Sequence, residues 1–469
     1  MNVFLGKLHK GAILAKFGNT NRYDCRMNEA KKAGKDSPKP TLRVLDAVVI
    51  IVGVVVGAGI FRTPSSVAGL TGSWEPFLLT WLLGGLVSLV GALCYAELTT
   101  TFPHTGGDYH FLMRAFGKRF AFLFAWARAS VIQTGSIALL AFIVGDYLSP
   151  LYPLGSYSSA LYAALVIIGL TTVNIVGIKF GTGIQKLLLT IQFAGLLLVV
   201  AAGLLAPPSP AALAELPVAE MGGGHATLGL AMVLVLLTFG GWNEAGYISA
   251  ELRAGSRKMV QVLVISITVI TGIYLMINGA FIWVLGIDRM AASAAVGIDL
   301  MRVTLGETGV LIIGLLVALS ALTSINATIF TGARTNYALG RDFRMFAWLG
   351  QWNDRTSSPI HALLAQGLVA LALVGLGAMT RDGFQSMVDF TAPVFWFFFL
   401  AIGISLMVLR RKMPDTPRPF RVPLYPLSPV IFCGSCAYLL YSSLTYTGVG
   451  AFAGIAVLLL GTLFFFFID

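Results

Sequence analysis

Charge is scarce in this chain. Asp, Glu, Lys and Arg make up 11% of 469 residues, against 57% hydrophobic residues and a mean hydropathy of +0.83. Soluble domains carry about a quarter charged residues, so a chain this poor in charge is not built to be covered by water. Histidine and cysteine are also rare, at five and four residues. Cys433 and Cys436 have the C-x-x-C spacing of redox and metal motifs. They fall in an apolar run with no second pair, and a structural role is the expectation. No metal-ligand cluster, nucleophile–base pair or phosphate loop occurs, which argues against a membrane enzyme and against an ATP-driven pump. Strand-type alternation is missing, which excludes an outer-membrane barrel. Residues 1–42 lack the apolar core and cleavage site of a signal peptide. They read as a disordered basic tail, with Met1 and Met27 as alternative starts.

What the chain has in abundance is apolar runs near the ~20-residue spanning length. Twelve spans are expected, roughly at 44–70, 77–101, 120–145, 159–178, 183–206, 226–250, 259–286, 306–333, 360–379, 384–409, 427–446 and 449–468. The fold class is therefore an all-α polytopic membrane protein. The net charge of +11 is a topology signal. With the N-terminus cytoplasmic, 27 of the 32 Lys and Arg fall on the cytoplasmic side, while Arg62, Arg289, Arg302 and Arg381 face out. Such a split follows the positive-inside rule. It places both termini in the cytoplasm and needs no nucleic-acid partner. None of the four cysteines lies in an external loop of this topology, so no extracellular disulfide is expected.

Two spans are interrupted. In the first, Gly57 and Gly59 flank Ala58, and Pro64 follows five residues after Gly59. In the sixth, Gly240 and Gly241 precede Trp242, Asn243 and Glu244. A Gly-x-Gly in a membrane helix is by itself more often a close helix contact. A break at membrane depth is tolerated where the freed backbone faces a cavity. Paired breaks in corresponding positions of two halves point to a solute site. Amides opening the half-helix at Gly59 suit the carboxylate of an anionic or zwitterionic solute. The organisation expected is a first five-helix repeat over 43–206, a second, inverted, over 226–411, and two appended helices over 427–469.

Ionisable and polar groups inside the spans are the remaining signals. Glu97, near a membrane boundary, needs a partner or water. His104 and His110 lack metal-site spacing and read as solvated loop residues. Arg128 stands in Phe124-Ala125-Trp126-Ala127-Arg128-Ala129-Ser130. Snorkelling to the interface is the first expectation, and a buried cation lining a cavity the second. Glu244 adjoins the sixth-span break, either hydrated in a vestibule or favouring a cationic solute or a proton. The eighth span holds Ser320, Thr323 and Ser324, hydroxyls that bond their own backbone or line a polar path. Residues 334–359 and 414–429 read as connectors.

These residues resemble the amino acid–polyamine–organocation superfamily, most closely its L-type amino acid transporter branch. Gly57-Ala58-Gly59-Ile60-Phe61 is similar to that family's first-span signature, and Phe239-Gly240-Gly241-Trp242-Asn243 with Glu251-Leu252 to its sixth-span signature. Cys94-Tyr95-Ala96-Glu97-Leu98 with Pro103 and Gly106-Gly107-Asp108-Tyr109 resembles the span 2–3 signature, and Ala318-Leu319-Ser320 to Arg341-Asp342 the eighth span and its loop. The resemblance implies secondary active transport of amino acids across the plasma (inner) membrane, as exchanger or ion-coupled symporter. It implies that the amides of Ala58, Gly59 and Ile60 meet the substrate carboxylate. Carbonyls of Val55, Leu237, Thr238 and Phe239 would meet its amino group, with Gly57, Gly240 and Asn243 beside them.

Three departures stand out. Many relatives carry a lysine in the fifth span where this chain has Gln192, leaving Na⁺, H⁺ or Arg128 as candidates for coupling. The aromatic gate of the sixth span is Leu237 here. The loop from Asp146 to Ser159 has no cysteine for a disulfide-linked glycoprotein partner, and none is expected. A polyamine or cationic amino acid antiporter, and a channel or sensor of the same fold, are the alternatives.

Overall fold

The computed structural model describes residues 43–104, 107–176, 181–207, 225–244, 252, 258–353, 356, 358–380, 382–446 and 449–467. The basic tail, Cys25, Glu251, Arg381 and the Met27 start lie outside the described residues.

The fold opens with α1 (Val44–Val55), which stops at Val56–Gly57, passes through a 3₁₀ turn at Ala58–Phe61 and resumes as α2 (Thr63–Thr71). The interruption is where the glycines place it. Gly57 is extended, with φ −95° and ψ −163°, and its amide turns back to Val55 O at 2.8 Å. Pro64 sits at the start of α2, where a missing N–H costs nothing. Gly72, at φ +68°, closes it in the left-handed conformation.

Next come α3 (Trp74–Thr101), α4 (Gly107–Phe116) and α5 (Lys118–Ala127), then a π-helical turn at Arg128–Ile132 leading into α6 (Gln133–Leu148). They are followed by α7 (Ser158–Val176), α8 (Gly181–Leu205) and α9 (His225–Thr238). After α9 the chain turns through Phe239–Gly241 into a 3₁₀ segment, Trp242–Glu244. The second break is thus also present, and Gly241 adopts φ +111° there.

The remaining helices are α10 (Lys258–Leu285), α11 (Ile287–Ala292), α12 (Val296–Asp342), α13 (Ile360–Ala378), α14 (Gly383–Lys412), α15 (Leu427–Tyr446) and α16 (Val449–Thr462). Among the described residues, eight helices are long and apolar enough to cross a membrane, and three shorter apolar ones accompany them. In α12 the eighth span is set off by a kink at Gly306, φ +65°. It runs on to Asp342, so the connector expected from Arg334 begins nine residues later. Asn336, Leu339 and Gly340 are buried there and keep a helical packing face.

Glycines let these helices approach. A Cβ at Gly84 or Gly85 of α3 would collide with Val235 of α9 or Thr271 of α10, the close contact that small residues permit in a membrane bundle. At the far end of α3, Glu97 is 1% exposed and has the partner it needs. Arg410 of α14 grips it with both ends of its guanidinium, Arg418 Nε lies at 3.4 Å, and the Val422 amide donates at 2.7 Å. Cys94, Cys433 and Cys436 are free thiols within the helices.

Candidate substrate site

Both breaks open onto one cavity of about 410 Å³. Ile51, Val54, Val55, Gly57 and Gly59 reach it from the first break, and Leu237, Thr238, Gly240, Gly241, Asn243 and Glu244 from the second. Ala58, Ile60 and Phe239, expected beside the substrate, are fully buried in the core and do not line the cavity; their neighbours Gly57, Gly59, Thr238 and Gly240 do. The first amides of a helical segment have no intrahelical acceptor, so those of Ala58, Gly59 and Ile60 open this half-helix unpaired within it.

The carbonyl side of the site is already partly engaged. The hydroxyl of Tyr274, on α10, lies 2.9 Å from Val55 O and 3.0 Å from Thr238 O. Its single proton is shared between the two breaks and ties them together. Thr238 O keeps a second lone pair for an ammonium, whereas Val55 O already accepts the Gly57 amide as well. Leu237 O accepts the Gly240 amide at 3.0 Å, and Thr238 Oγ1 reaches Thr63 Oγ1 at 2.8 Å. Tyr274 has no signature in the sequence: it is one tyrosine in an apolar helix.

Thr323 and Ser324 of α12 line the cavity beside Gly57, whereas Ser320 is buried behind them with no hydrogen-bond partner for its hydroxyl among the described residues. Gln192 of α8 is likewise buried away from the cavity, and neither end of its amide is bonded among the described residues. A Cβ on Gly57 would fall 3.1 Å from Ser324 Oγ. The branched side chain of Gly57→Val is therefore expected to overpack this point. A strain of ~1–3 kcal/mol translates into roughly 5- to 150-fold slower uptake or weaker substrate binding. Initial-rate kinetics check it, and wild-type values for both would remove Gly57 from the site.

One end of the cavity carries the charge. Arg128 does not snorkel: it is 4% exposed and its Nη2 lies 3.0 Å from Glu244 Oε1. A partner 116 residues away in the chain offsets part of the cost of burying it. With its amide oriented to satisfy both ends, Gln133 accepts from Arg128 Nη2 and Nε at 2.9 and 3.1 Å and donates to Thr328 O. The π turn at Arg128–Ile132 brings these groups round, as single π turns commonly do at functional sites. Asp108 of α4 completes the set. His104 and His110, instead of standing free in solvent, stack at 4.1 Å, and Arg114 Nε donates to His110 at 2.8 Å. Burial lowers the pKa of both imidazoles, His110 to about 4.

Aromatic cover comes from elements the sequence did not mark. Phe124, Phe384, Phe395, Phe398 and Phe399 line the cavity, while Leu237 supplies only an aliphatic face. At the opposite end from Asp108, Arg62 closes the bundle. Its Nη2 lies 2.7 Å from Asp382, its Nε 3.6 Å from Asp146, and its guanidinium 5.3 Å from the centre of the Phe384 ring.

A solute-sized cavity between broken membrane helices, with no metal-binding group of side chains among the described residues, defines a multi-pass membrane transport protein. The chain belongs to the amino acid permease family, whose profile matches residues 42–467. It is 29% identical over 419 residues to the mouse b(0,+)-type amino acid transporter 1, covering 86% of this chain and 83% of that one. It is 30% identical over 442 residues to the mouse large neutral amino acids transporter small subunit 2, covering 91% and 81%. The human form of the latter is 29% identical over 475 residues, covering 98% and 86%. This is a family of transporters, and the chain is not an enzyme.

Proposed function

We propose that this protein is a secondary active carrier of amino acids with apolar side chains, working by alternating access in the plasma (inner) membrane. The observation that carries it is the meeting of two helix breaks in one cavity. In this reading the amides of Ala58, Gly59 and Ile60 would take the substrate carboxylate, and the carbonyls of Val55, Leu237, Thr238 and Phe239 its ammonium. The opposing breaks hold the two charged ends common to all amino acids. The phenylalanine-rich wall then selects the side chain, in keeping with the name of the large neutral amino acids transporter among the relatives.

The architecture that fits this reading is twelve spans, with both termini cytoplasmic. Five-helix repeats over 43–206 and 226–411 are inverted on each other, and the helices over 427–469 are appended. Gln192 supplies no fixed cation, so coupling falls to substrate exchange, Na⁺ or H⁺. The loop from Asp146 to Ser159 has no cysteine, and we expect the single chain to transport without a disulfide-linked partner.

Uptake of labelled leucine by the purified chain in proteoliposomes tests the reading. Saturable uptake that rises with unlabelled leucine inside the vesicles supports a carrier and favours exchange. Stimulation by Na⁺ in empty vesicles would make it a Na⁺ symporter. Stronger competition by lysine than by phenylalanine would overturn the apolar assignment in favour of cationic substrates, because Asp108 and Glu244 place two carboxylates at the cavity. Absence of uptake for every amino acid would sink the carrier reading itself.

A further inference from the structure

Two carboxylates and one guanidinium meet at the end of the cavity away from Arg62. Asp108 comes from α4, Arg128 from the π turn and Glu244 from the segment after the second break. Asp108 is 2% exposed, lines the cavity, and its Oδ1 has no hydrogen-bond partner among the described residues. Arg128 is committed to Glu244 at 3.0 Å and to Gln133. With all three groups ionised, the cluster holds one negative charge in excess in a place nearly closed to water.

We propose that Asp108, facing the Arg128–Glu244 ion pair, is a proton-binding site whose loading and unloading is coupled to movement of the amino acid. The inference rests on the carrier reading above. The step is simple in its chemistry: a proton from the aqueous phase adds to a carboxylate oxygen of Asp108, giving the neutral acid, and later returns to water. No other reactant is needed.

Charge and burial decide the direction of coupling. Burying a carboxylate is costly, and Asp108 is buried beside a second carboxylate, with one oxygen unbonded among the described residues. A state in which this end is shut around the cluster therefore favours protonated Asp108. Opening this end admits water, which solvates the carboxylate and lets the proton leave. Proton binding and closure therefore reinforce each other, and linkage makes the effect reciprocal. The electrostatics agree: burial pushes the Asp108 carboxyl up to about 7, with Glu244 adding to the rise and Arg128 opposing it. The Tyr95 and Asn243 side chains also lie against it and favour the ionised form. The elements packed around α4 carry further charges: Lys118 lies over the Phe343 ring at 5.7 Å, Gln385 donates to Asp389, and Arg119 and Arg411 stand on the same helices. Arg410 holds Glu97, Lys412 Nζ donates to Ala115 O, and Arg114 bonds His110.

The test uses the full chain in proteoliposomes, with labelled leucine outside and a pH-sensitive dye in the lumen. For the wild type, adding leucine is expected to acidify the lumen. An inward proton gradient should raise uptake into empty vesicles about 5-fold or more, the lower end of coupling between linked sites. Asp108→Asn should lose both effects, and Asp108→Glu should keep them. Glu244→Gln removes the repelling charge and frees Arg128 for Asp108. It is therefore expected to move the pH midpoint of leucine exchange to lower pH, a shift that a merely structural role would not produce.

The wild-type dye signal decides the matter even if Asp108→Asn fails to fold. Net leucine uptake into empty vesicles without lumen acidification would overturn the proton site while leaving the carrier reading intact. Retention of gradient-driven uptake and of the dye signal by Asp108→Asn would overturn it too. Failure of leucine exchange altogether would instead strike the carrier reading.

Discussion

Glu97→Ala is expected to be the most destabilising single substitution, costing about 3–5 kcal/mol, as removal of one partner from a buried ion pair does. Glu97 is the anion that Arg410 and Arg418 share, and it also holds the Val422 amide. Taking it away leaves two guanidiniums facing each other and an orphaned N–H. The links it breaks join α3, α14 and the connector that leads to α15, elements far apart in sequence. Thermal denaturation of the solubilised protein, followed by the loss of the monodisperse peak, reads the effect. Glu97→Leu combined with Arg410→Leu should recover part of the loss, because replacing both members of a buried pair by apolar groups costs less than stranding one. A midpoint for Glu97→Ala equal to that of the wild type would show that the network adds nothing to stability.

The same network shows where reading the sequence stops. Glu97 announced a need for a partner, since a carboxylate in an apolar span is costly alone. Nothing local said that the partner stood 313 residues away. Both helix breaks were legible, because glycine pairs inside apolar runs are a local signal of backbone freed from its ladder. Arg128 was legible as an anomaly but not as an ion pair, since its environment is set by Glu244 across the bundle. Tyr274 and Phe384 were silent: an aromatic ring in a membrane helix looks the same whether it faces lipid, core or cavity. The overrun of α12 to Asp342 was missed because polar residues there read as a loop, although their spacing keeps a buried face.

Arg62 carries the other large effect, on the balance between open and closed states rather than on stability. It follows the first break directly, so any swing of α2 moves it. At the closed end it binds Asp382, the residue that caps α14 by accepting the Gln385 amide at 3.0 Å, and it approaches Asp146 near the end of α6. Tyr147 adds a hydrogen bond to Phe61 O at 2.8 Å, one residue before Arg62. Three spans are thus drawn together around Arg62, which is 9% exposed. Hydrogen bonds to charged groups contribute about 1.5–3 kcal/mol. Arg62→Met keeps the length and apolar contact but loses these bonds, and leaves Asp146 and Asp382 to repel each other. The population open at this end should therefore rise roughly 10- to 100-fold. A cysteine placed at Ser136, in the cavity, on a background without native thiols would report it through alkylation by a membrane-impermeant maleimide applied from the Arg62 end. Faster labelling with Arg62→Met, together with weaker coupling of uptake to counter-substrate, is the expected pair of results. An unchanged labelling rate would mean that the aromatic and aliphatic packing around Phe384 keeps this end shut without the ion pairs.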